Sequence, residues 1–299
     1  MSGDSADAIR TADTDDAGDG AVEVNMTRPR DWNVVFQYNS HDPVVFRTSD
    51  GPYLLVHVAD DRRFLFEGTS SFPGPTGGSW KPVDADFMSG VTGSSVDTGL
   101  RVGDRYYAYR DGRVHVTSDL TADGWTVCNT LSFPRDPGVF YDDATDRFHM
   151  FYEAGPKSNH SGAQIGHASS PNGVTNWTVH GPVYTAPPEY GVGDFTVAEH
   201  DDRYVILGDY VREHPNYSVA AWTTTALGAN LTFQGTVLEP RRNDSTARDS
   251  LGVQDPEIEH LVGDRYAVFA HGHVGRRAPR WLHYYEATIS IGANDSNSK

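Results

Sequence analysis

Aspartate recurs in this sequence immediately before short apolar runs, in a pattern that could bring several carboxylates together. Successive copies are 39 to 61 residues apart. They begin at Asp42, Asp97, Asp136, Asp194 and Asp255. A single aspartate of this kind is commonly a turn opener whose carboxylate accepts backbone N–H groups. Five carboxylates gathered at one place would instead raise one another's pKa, which is unfavourable unless the arrangement is used.

Hydrolysis of a glycosidic bond is the chemistry that needs such an arrangement. One carboxylate attacks the anomeric carbon or activates water, and a second, protonated carboxyl group protonates the leaving oxygen. A third acidic group nearby can keep that acid protonated at neutral pH. The reaction therefore needs a rigid scaffold that holds carboxylates from distant parts of the chain on one rim.

A repeat of roughly 50 residues follows each aspartate and indicates what this scaffold is. Nine to twelve residues after the aspartate, a turn leads into a second strand that begins with an aromatic residue. In four copies the turn ends Asp-Arg-aromatic, at Asp104-Arg105-Tyr106, Asp146-Arg147-Phe148, Asp202-Arg203-Tyr204 and Asp264-Arg265-Tyr266. A third strand follows, and in three copies a tryptophan begins a fourth, at Trp80, Trp125 and Trp177. A four-stranded meander of this length is typical of a propeller blade.

The sequence thus predicts an all-β fold, a five-bladed β-propeller with four-stranded antiparallel blades. The first strand of each blade lines the central channel, so the five aspartates are expected at one mouth. Because the fifth repeat ends after its third strand, the segment 22–36 is expected to supply the outer strand and close the ring, which removes an exposed sheet edge. The three repeated tryptophans are expected to pack between blades.

Composition sets the limits of the propeller and indicates an acidic surface. Residues 1–28 contain almost no large apolar side chain and are predicted to be a disordered acidic tail. The propeller is predicted over residues 29–291, and residues 292–299 are predicted to be a second disordered tail. The formal net charge is −17, with 31 aspartates, 10 glutamates, 21 arginines and 3 lysines. Such an acidic surface is typical of a halophilic protein, because high salt screens its self-repulsion.

Several partners are excluded by the same composition. The chain has no basic stripe that could neutralise phosphates, so nucleic acid is not an expected partner. It has neither a run of about 18 apolar residues nor a signal peptide pattern. No membrane partner is therefore expected, and the predicted location is cytoplasmic. Cys128 is the only cysteine, which excludes an internal disulfide, and it is expected to be a small buried hydrophobe.

Two segments resemble the first and third blade motifs of five-bladed glycoside hydrolases. The first is His41-Asp42-Pro43-Val44-Val45. The second is Arg135-Asp136-Pro137-Gly138-Val139-Phe140-Tyr141-Asp142-Asp143, followed by Arg147-Phe148-His149-Met150-Phe151-Tyr152. The likeness is greatest to family 43, the arabinanases, arabinofuranosidases and β-xylosidases, with the related invertase and levansucrase clan behind it. The resemblance covers the whole propeller as a pattern, and these two motifs are its specific part.

The resemblance implies roles for three catalytic residues. Asp42 matches the catalytic base of family 43, or the nucleophile of the invertase-like clan. Asp136 matches the aspartate that orients the substrate and tunes the pKa of the acid. The acid itself is a glutamate in both families, whereas Asp194, one methylene shorter, stands in its place here, ten residues before Tyr204. The alternative acids nearby in the sequence are Glu153, Glu199 and Glu257.

Other residues near the predicted channel mouth could contact a sugar or an ion. The residues predicted to bind substrate are His41, Asp97, Tyr190, Asp255 and Trp32. His271 and His273 alternate on one strand of blade five and could share a metal ion, although two histidines without a third ligand are a weak metal signal. The chemistry requires no cofactor. Ca²⁺ held by aspartates and water is the expected ion if the channel binds one.

Three functions remain open, each with an oligo- or polysaccharide as the partner. The expected one is an inverting glycosidase that acts on arabinose- or xylose-containing glycans, with Asp42 as base. The second is a retaining enzyme that acts on fructans or sucrose, with Asp42 as nucleophile. The third is a propeller that binds carbohydrate without cleaving it, favoured if no carboxylic acid lies across from Asp42. Carboxyl groups about 5 Å apart indicate retention, and a separation of roughly 6.5 Å or more indicates inversion.

Overall fold

The structure, a computed structural model, describes most of the predicted propeller. The described residues are 22–27, 34–36, 40–58, 62–68, 80–84, 96–110, 112–121, 125–155, 162–213, 216–243, 247–275 and 280–291. Every regular element in these ranges is a β-strand, which confirms the all-β prediction. The part of the chain that is described contains no helix that could span a bilayer.

The strands form five antiparallel sheets, which are the blades of a five-bladed propeller. Two strands precede the first blade, β1 (Val22–Thr27) and β2 (Val34–Phe36). Blade one consists of β3 (Ser40–Arg47), β4 (Pro52–Val58), β5 (Arg62–Gly68) and β6 (Trp80–Asp84). Blade two consists of β7 (Thr98–Val102), β8 (Arg105–Arg110), β9 (Arg113–Thr117) and β10 (Thr126–Thr130).

Blades three to five have the same strand order from channel to rim as the first two. Blade three consists of β11 (Gly138–Asp142), β12 (Arg147–Ala154), β13 (Gln164–Ser170) and β14 (Thr178–Thr185). Blade four consists of β15 (Gly191–His200), β16 (Arg203–Glu213), β17 (Asn216–Thr224) and β18 (Thr232–Leu238). Blade five consists of β19 (Gly252–Val262), β20 (Arg265–His273), β21 (Arg280–Ile291) and β1.

The N-terminal segment closes the ring, as predicted. β1 pairs antiparallel with β21, from Val22 opposite Ile291 to Thr27 opposite Glu286, and β2 also pairs with β21. Residues 22–27 were assigned by composition to the disordered tail, and that boundary is wrong. Val22 and Val24 alternate with the exposed Glu23 and are buried against blades four and five, so a short strand is hidden in an acidic segment. The rest of the predicted tail (1–21 and 28) and residues 292–299 lie outside the described residues.

The hydrophobic core lies between the blades. It consists of five clusters of buried side chains, and each cluster is formed mainly by two neighbouring blades. Between blades one and two, for example, Val44 and Phe46 pack with Ala108 and Trp125. Because apolar burial is the main favourable term in folding, the same contacts that stabilise the ring fix the positions of its inner strands.

The three repeated tryptophans pack between blades, as expected. The Trp80 ring lies 6.0 Å from that of Phe269 in blade five, and the Trp125 ring lies 6.1 Å from that of Phe46 in blade one. The Trp177 ring lies 6.2 Å from that of Tyr109 in blade two. Each tryptophan thus contacts the preceding blade, which explains its recurrence at one repeat position.

Cys128 is exposed, so the prediction of a buried side chain is wrong. It lies on β10, the outermost strand of blade two, and most of this strand is exposed. An outer strand pairs with a neighbouring strand on one side only. The alternation of apolar and polar residues along such a strand therefore does not indicate which side chains are buried.

Gly138, at the start of β11, is required by the close approach of blades three and four. A Cβ atom at this position would lie 2.1 Å from the backbone oxygen of Phe195 in β15. We expect Gly138→Ala to lower the free energy of unfolding by about 1–3 kcal/mol, because the inner strands would have to move apart. Chemical denaturation measures this change.

The matched control for this prediction is Gly103→Asn. Gly103 has a φ of 61°, which asparagine adopts more readily than most residues, and a Cβ atom there meets nothing within 4 Å. We expect this variant to unfold close to the wild-type midpoint. A Gly138→Ala variant as stable as the wild-type protein would contradict the close packing of the two inner strands.

Candidate active site

Four of the five repeated aspartates share an unusual backbone conformation. The φ angle is 44° at Asp42, 44° at Asp136, 48° at Asp194 and 53° at Asp255. This left-handed region is sparsely populated by residues other than glycine, although aspartate tolerates it better than most. Such conformations cost about 1–3 kcal/mol and cluster at functional sites. The four aspartates are therefore the first candidates for a site.

A β-bulge produces this conformation in each of the four blades. In blade one the ladder between β3 and β4 skips from His41 to Val44, and equivalent skips occur in blades four and five. In blade three, Glu153 N donates to Arg135 O at 2.8 Å, and the ladder resumes only at Gly138. A bulge of this kind redirects a side chain out of the strand alternation. Here it redirects the side chain of the aspartate near the start of the inner strand in each of these four blades.

Blade two lacks the bulge. Asp97 N donates to Tyr109 O at 2.9 Å, directly beside the regular pairing of β7 with β8, and φ at Asp97 is not positive. The expected ring of five equivalent aspartates is therefore corrected to four, because nothing redirects Asp97 in the way the bulges redirect the others. A role for Asp97 in substrate binding stays a prediction.

The bulged aspartates meet at one mouth of the channel. One oxygen each from Asp42, Asp194 and Asp255 lies within 4.8 Å of the other two. Asp136 lies beside them. Its Oδ2 would be only 3.4 Å from a Cβ atom on Gly193, the residue directly before Asp194. Gly193 thus leaves room for the carboxylate of blade three beside the aspartate of blade four. The three residues predicted to be catalytic come together from three different blades.

Asp255 is the carboxylate with the most complete set of partners. Gln254 Nε2 donates to its Oδ1 at 2.7 Å, and Arg280 Nη1 donates to its Oδ2 at 3.3 Å. His271 Nδ1 lies 3.4 Å from the same Oδ2. Burial raises the pKa of Asp255, but the hydrogen bond from His271 and the charge of Arg280 outweigh burial and hold this pKa well below its ordinary value. Asp255 is therefore a fixed negative charge at neutral pH.

Asp194 has the opposite electrostatic environment. Burial, and then the negative charges of Asp136 and Asp255, raise its pKa well above the ordinary value. Asp209, on β16, is only 1% exposed and accepts a hydrogen bond at Oδ1 from Asp255 N at 2.8 Å. Burial and the charge of Asp255 raise the pKa of Asp209 as well. The site therefore combines ionised and protonated carboxyl groups, which is the combination that acid–base catalysis needs.

His41 lies directly before Asp42 and contacts blade five. Arg280 Nη1 donates to His41 Nδ1 at 2.6 Å, and the same guanidinium binds Asp255. Burial, followed by the charge of Arg280, lowers the pKa of His41 to about 4. The neutral ring accepts a hydrogen bond through Nδ1 and so connects Arg280 to the blade-one bulge. A sugar contact by His41 stays a prediction.

None of the three alternative acids, all within the described part of the chain, belongs to the group of carboxylates around Asp42. Glu153 forms an ion pair with Arg135 at 2.9 Å. Glu199 is exposed near the far end of β15. Glu257 is buried in the channel and accepts a hydrogen bond from Val45 N at 3.3 Å. Asp194 is thus the best-placed acid, despite the departure from glutamate.

Tyr190, one of the two aromatic residues predicted to contact a sugar, packs within blade four, and its contact with a sugar stays a prediction. Tyr190 stacks on Tyr210 with ring centroids 4.4 Å apart and ring planes 9° from parallel. The guanidinium of Arg212 lies 6.0 Å from the Tyr190 centroid. Tyr190 is therefore part of the packing of blade four, and its proximity to Asp194 in the sequence has a structural reason. Trp32 lies outside the described residues.

The two histidines of blade five have different neighbours, and a metal ion shared between them stays a prediction. His271 is fully buried and faces Asp255, while His273 is 3% exposed with its ring 6.3 Å from that of Tyr217. Among the described residues, the only group of three or more potential ligands is Asp42, Asp194 and Asp255. Oxygens within 4.8 Å of one another fit Ca²⁺, which takes oxygen ligands at 2.3–2.6 Å. Calcium binding there remains a prediction, and it would require Asp194 to lose its proton.

Comparison with solved structures places the fold, whereas two comparisons of the sequence with known proteins find no match. No protein-family model and no curated protein matches the sequence. A thermostable family-43 glycoside hydrolase has a TM-score of 0.62 with 11% identity, and the match covers 84% of this chain and 93% of that one. A xylan β-1,4-xylosidase from Bacillus halodurans has a TM-score of 0.61 with 11% identity, covering 88% of this chain and 56% of that one. For an α-L-arabinofuranosidase from Clostridium thermocellum, the values are 0.59 and 12%, covering 87% and 96%.

These similarities show the fold. The five-bladed architecture expected from the resemblance is confirmed, and the solved propellers of this shape include family-43 enzymes. At 11–12% identity, the structural similarity alone does not show that this chain acts on the substrates of those enzymes.

Proposed function

We propose that this protein hydrolyses O-glycosidic bonds at the channel mouth where the bulged aspartates meet. The observation that carries the proposal is the pairing of Asp194, whose pKa is raised well above its ordinary value, with Asp42 at an oxygen separation of no more than 4.8 Å. A protonated carboxyl group facing a second carboxyl group across a cleft is the arrangement that glycosidases use.

Asp194 is assigned as the general acid. Its carboxyl group is positioned by the bulge of blade four, and the negative charges of Asp136 and Asp255 favour its protonated form. An acid whose pKa lies near or above neutral is a better donor to the leaving oxygen than an ordinary aspartate. The missing methylene, relative to the glutamate of family 43, shifts the donor toward the bulge and shortens its reach.

Asp42 is assigned as the nucleophile. The separation of no more than 4.8 Å between oxygens of Asp42 and Asp194 is close to that of retaining enzymes, in which the carboxyl groups are roughly 5–5.5 Å apart. Inverting enzymes need about 6.5 Å or more, because a water molecule must fit between base and sugar. With one oxygen of each group this close, we propose retention in place of the inversion expected from the sequence.

The reaction proceeds in two steps that use only groups of the chain and water. Asp42 Oδ attacks the anomeric carbon while the Asp194 carboxyl proton passes to the leaving oxygen, so the C–O bond breaks and a glycosyl ester of Asp42 forms. Asp194, now ionised, then accepts a proton from water as that water cleaves the ester. Asp136 and Asp255 supply the negative potential that returns Asp194 to its protonated form.

Arabinose- or xylose-containing glycans are the proposed substrates. The support comes from the solved propellers of the same shape, which include a xylan β-1,4-xylosidase and an α-L-arabinofuranosidase. The motifs around Asp42 and Asp136 point to the same family. We further propose that the enzyme works in the cytoplasm of a halophile, which the excess of aspartate over lysine supports.

A panel of 4-nitrophenyl glycosides tests the proposal. The wild-type protein is assayed with α-L-arabinofuranosides, β-D-xylosides and β-D-fructofuranosides in 0.1 M and in multimolar NaCl, beside an Asp42→Asn variant. We expect hydrolysis of an arabinoside or xyloside by the wild-type protein only. Activity that persists in Asp42→Asn would remove Asp42 from the mechanism. Binding of xylo- or arabino-oligosaccharides without hydrolysis would instead indicate a carbohydrate-binding propeller.

A further inference from the structure

The bulge of blade five leaves one backbone amide outside the ladder of that blade. The pairing of β19 with β20 skips from Gln254 to Glu257, so Asp255 and Pro256 take no part in it. Proline has no N–H group, and the amide of Asp255 is therefore the only donor of the skipped pair. Asp255 is 4% exposed. Because a buried N–H group without an acceptor costs free energy, this amide needs an acceptor from outside its own strand pair.

The acceptor comes from the neighbouring blade. Asp209, on β16 of blade four, accepts the hydrogen bond from Asp255 N at its Oδ1, over 2.8 Å. Because Asp209 is 1% exposed, bulk water has little access to this contact. The other carboxyl oxygen, Oδ2, is also buried and has no hydrogen-bond partner among the described residues. The contact with blade five is thus made by Oδ1 alone.

Asp209 also lies beside the bulge of blade four. It is opposite Gly193 in the pairing of β15 with β16, and this is the last pair before the ladder skips Asp194 and Phe195. The backbone of Asp209 is therefore next to the segment that carries the proposed acid, while its side chain reaches the amide of Asp255. One residue connects the two bulges.

A second side-chain contact joins the same two blades further along the channel. Thr196 Oγ1, on β15, accepts a hydrogen bond from Ile258 N, on β19, over 3.3 Å. Thr196 follows the bulge of blade four, and Ile258 follows the bulge of blade five. This contact provides an internal reference, because it joins the two blades without involving Asp255.

We propose that Asp209 is a positioning residue, which holds the bulge of blade five and so keeps the carboxylate of Asp255 beside those of Asp42 and Asp194. The left-handed backbone at Asp255, with a φ of 53°, is unfavourable by itself and persists only where neighbouring contacts maintain it. Without the acceptor, the buried amide turns toward another partner and the bulge moves with it. For its effect on hydrolysis this inference rests on the proposed function, whereas the hydrogen bond is tested without any substrate.

Hydrogen exchange of the Asp255 amide tests the hydrogen bond. Asp209→Asn keeps Oδ1, whereas Asp209→Leu has a similar shape and no acceptor. NMR of protein with isotope-labelled aspartate and isoleucine follows the amide, whose signal is identified by its loss in Asp255→Asn. We expect Asp209→Leu to accelerate exchange of this amide about tenfold or more, and Asp209→Asn to stay within about threefold of the wild-type rate. The Ile258 amide should exchange at the wild-type rate in both variants.

Steady-state kinetics on the glycoside that the panel identifies test the consequence for the site. We expect Asp209→Leu to lower kcat about tenfold or more, because a small displacement of the carboxylates slows the chemical step. KM should stay within about threefold, since Asp209 is buried away from the substrate. Asp209→Asn should recover kcat to within about threefold of the wild-type value. Asp264→Leu, in an exposed turn of blade five, is the control and should match the wild-type protein in both measurements.

The outcomes separate this inference from the proposed function. If the wild-type protein hydrolyses no glycoside, the proposed function fails, and hydrogen exchange decides whether Asp209 holds the bulge. If Asp209→Leu does not fold, Asp209→Ala replaces it with the same expectations. An Asp255 amide that exchanges equally fast in the wild-type protein and in the variant without the acceptor would overturn the inference. So would equal losses of kcat in that variant and in Asp209→Asn, or full kcat without the acceptor.

Discussion

Asp194→Asn is expected to slow hydrolysis of glycosides with alcohol leaving groups by about 10²–10⁴-fold, the usual contribution of a general acid. The reason is that asparagine cannot donate the proton that burial and the charges of Asp136 and Asp255 keep on Asp194. A 2,4-dinitrophenyl leaving group departs without protonation, so the loss should be less than about tenfold for its glycosides. Steady-state kinetics with both classes of substrate measure the difference.

The pH dependence provides a second measurement on the same variant. The wild-type rate should fall as the pH rises past the raised pKa of Asp194, and this basic limb should be absent in Asp194→Asn. Asp104→Asn, an exposed aspartate in a blade-two turn, is the control and should behave like the wild-type protein. A loss that is equal for both leaving groups would mean that Asp194 is not the proton donor.

Removal of the nucleophile is expected to have the largest effect of all. Asp42→Gly should reduce the rate by about 10⁴-fold or more with every leaving group, because no group remains to attack the anomeric carbon. Sodium azide fits the space left by the carboxylate and should restore cleavage of a dinitrophenyl glycoside about tenfold or more, with a glycosyl azide as product. Product analysis by chromatography and mass spectrometry detects it.

Asp97→Gly is the matched control for this prediction. Asp97 begins an inner strand as Asp42 does, but it lacks the bulge and the positive φ. We expect this variant to keep its activity within about tenfold and to gain nothing from azide. Azide-independent activity in Asp42→Gly would show that another residue performs the attack.

The fold was predictable because the same physical constraints recur five times. Each blade has an inner strand at the channel, a turn that leads back, and side chains that pack against the neighbouring blade. The repeated Trp80, Trp125 and Trp177 indicate this packing between blades in the sequence. The closing strand was also predictable, since blade five ended one strand short. The end of the acidic tail was placed too late, at residue 28, because Val22 and Val24 are the only buried positions of a short strand that directly follows an acidic segment.

The site was only partly predictable. The aspartates could be found because they open each repeat, but the sequence did not show that a bulge redirects four of them and leaves Asp97 in a regular ladder. Asp209 and Arg280 were missed altogether. They lie on the second and third strands of their blades, where a polar residue has no local pattern to mark it. The packing of blade four against blade five brings Asp209 to Asp255, and the strand order within blade five brings Arg280 there.

Proximity in the sequence was a poor guide to which residues lie in the same site, because the packing of the strands determines their neighbours. Tyr190 lies four residues before Asp194, yet it stacks on Tyr210. Glu257 lies two residues after Asp255, yet it is buried beside blade one and accepts a hydrogen bond from Val45 N. A strand carries successive residues about 3.3 Å further along the channel, so neighbours in the chain soon belong to different ends of it.

The anomeric configuration of the first product tests the central claim, which is that Asp42 and Asp194 face each other closely enough to act as nucleophile and acid. Proton NMR of the reaction on whichever aryl glycoside the panel identifies follows the product before it mutarotates. The separation of no more than 4.8 Å predicts a product with the configuration of the substrate. A first product of the opposite configuration would contradict this arrangement of the two carboxyl groups.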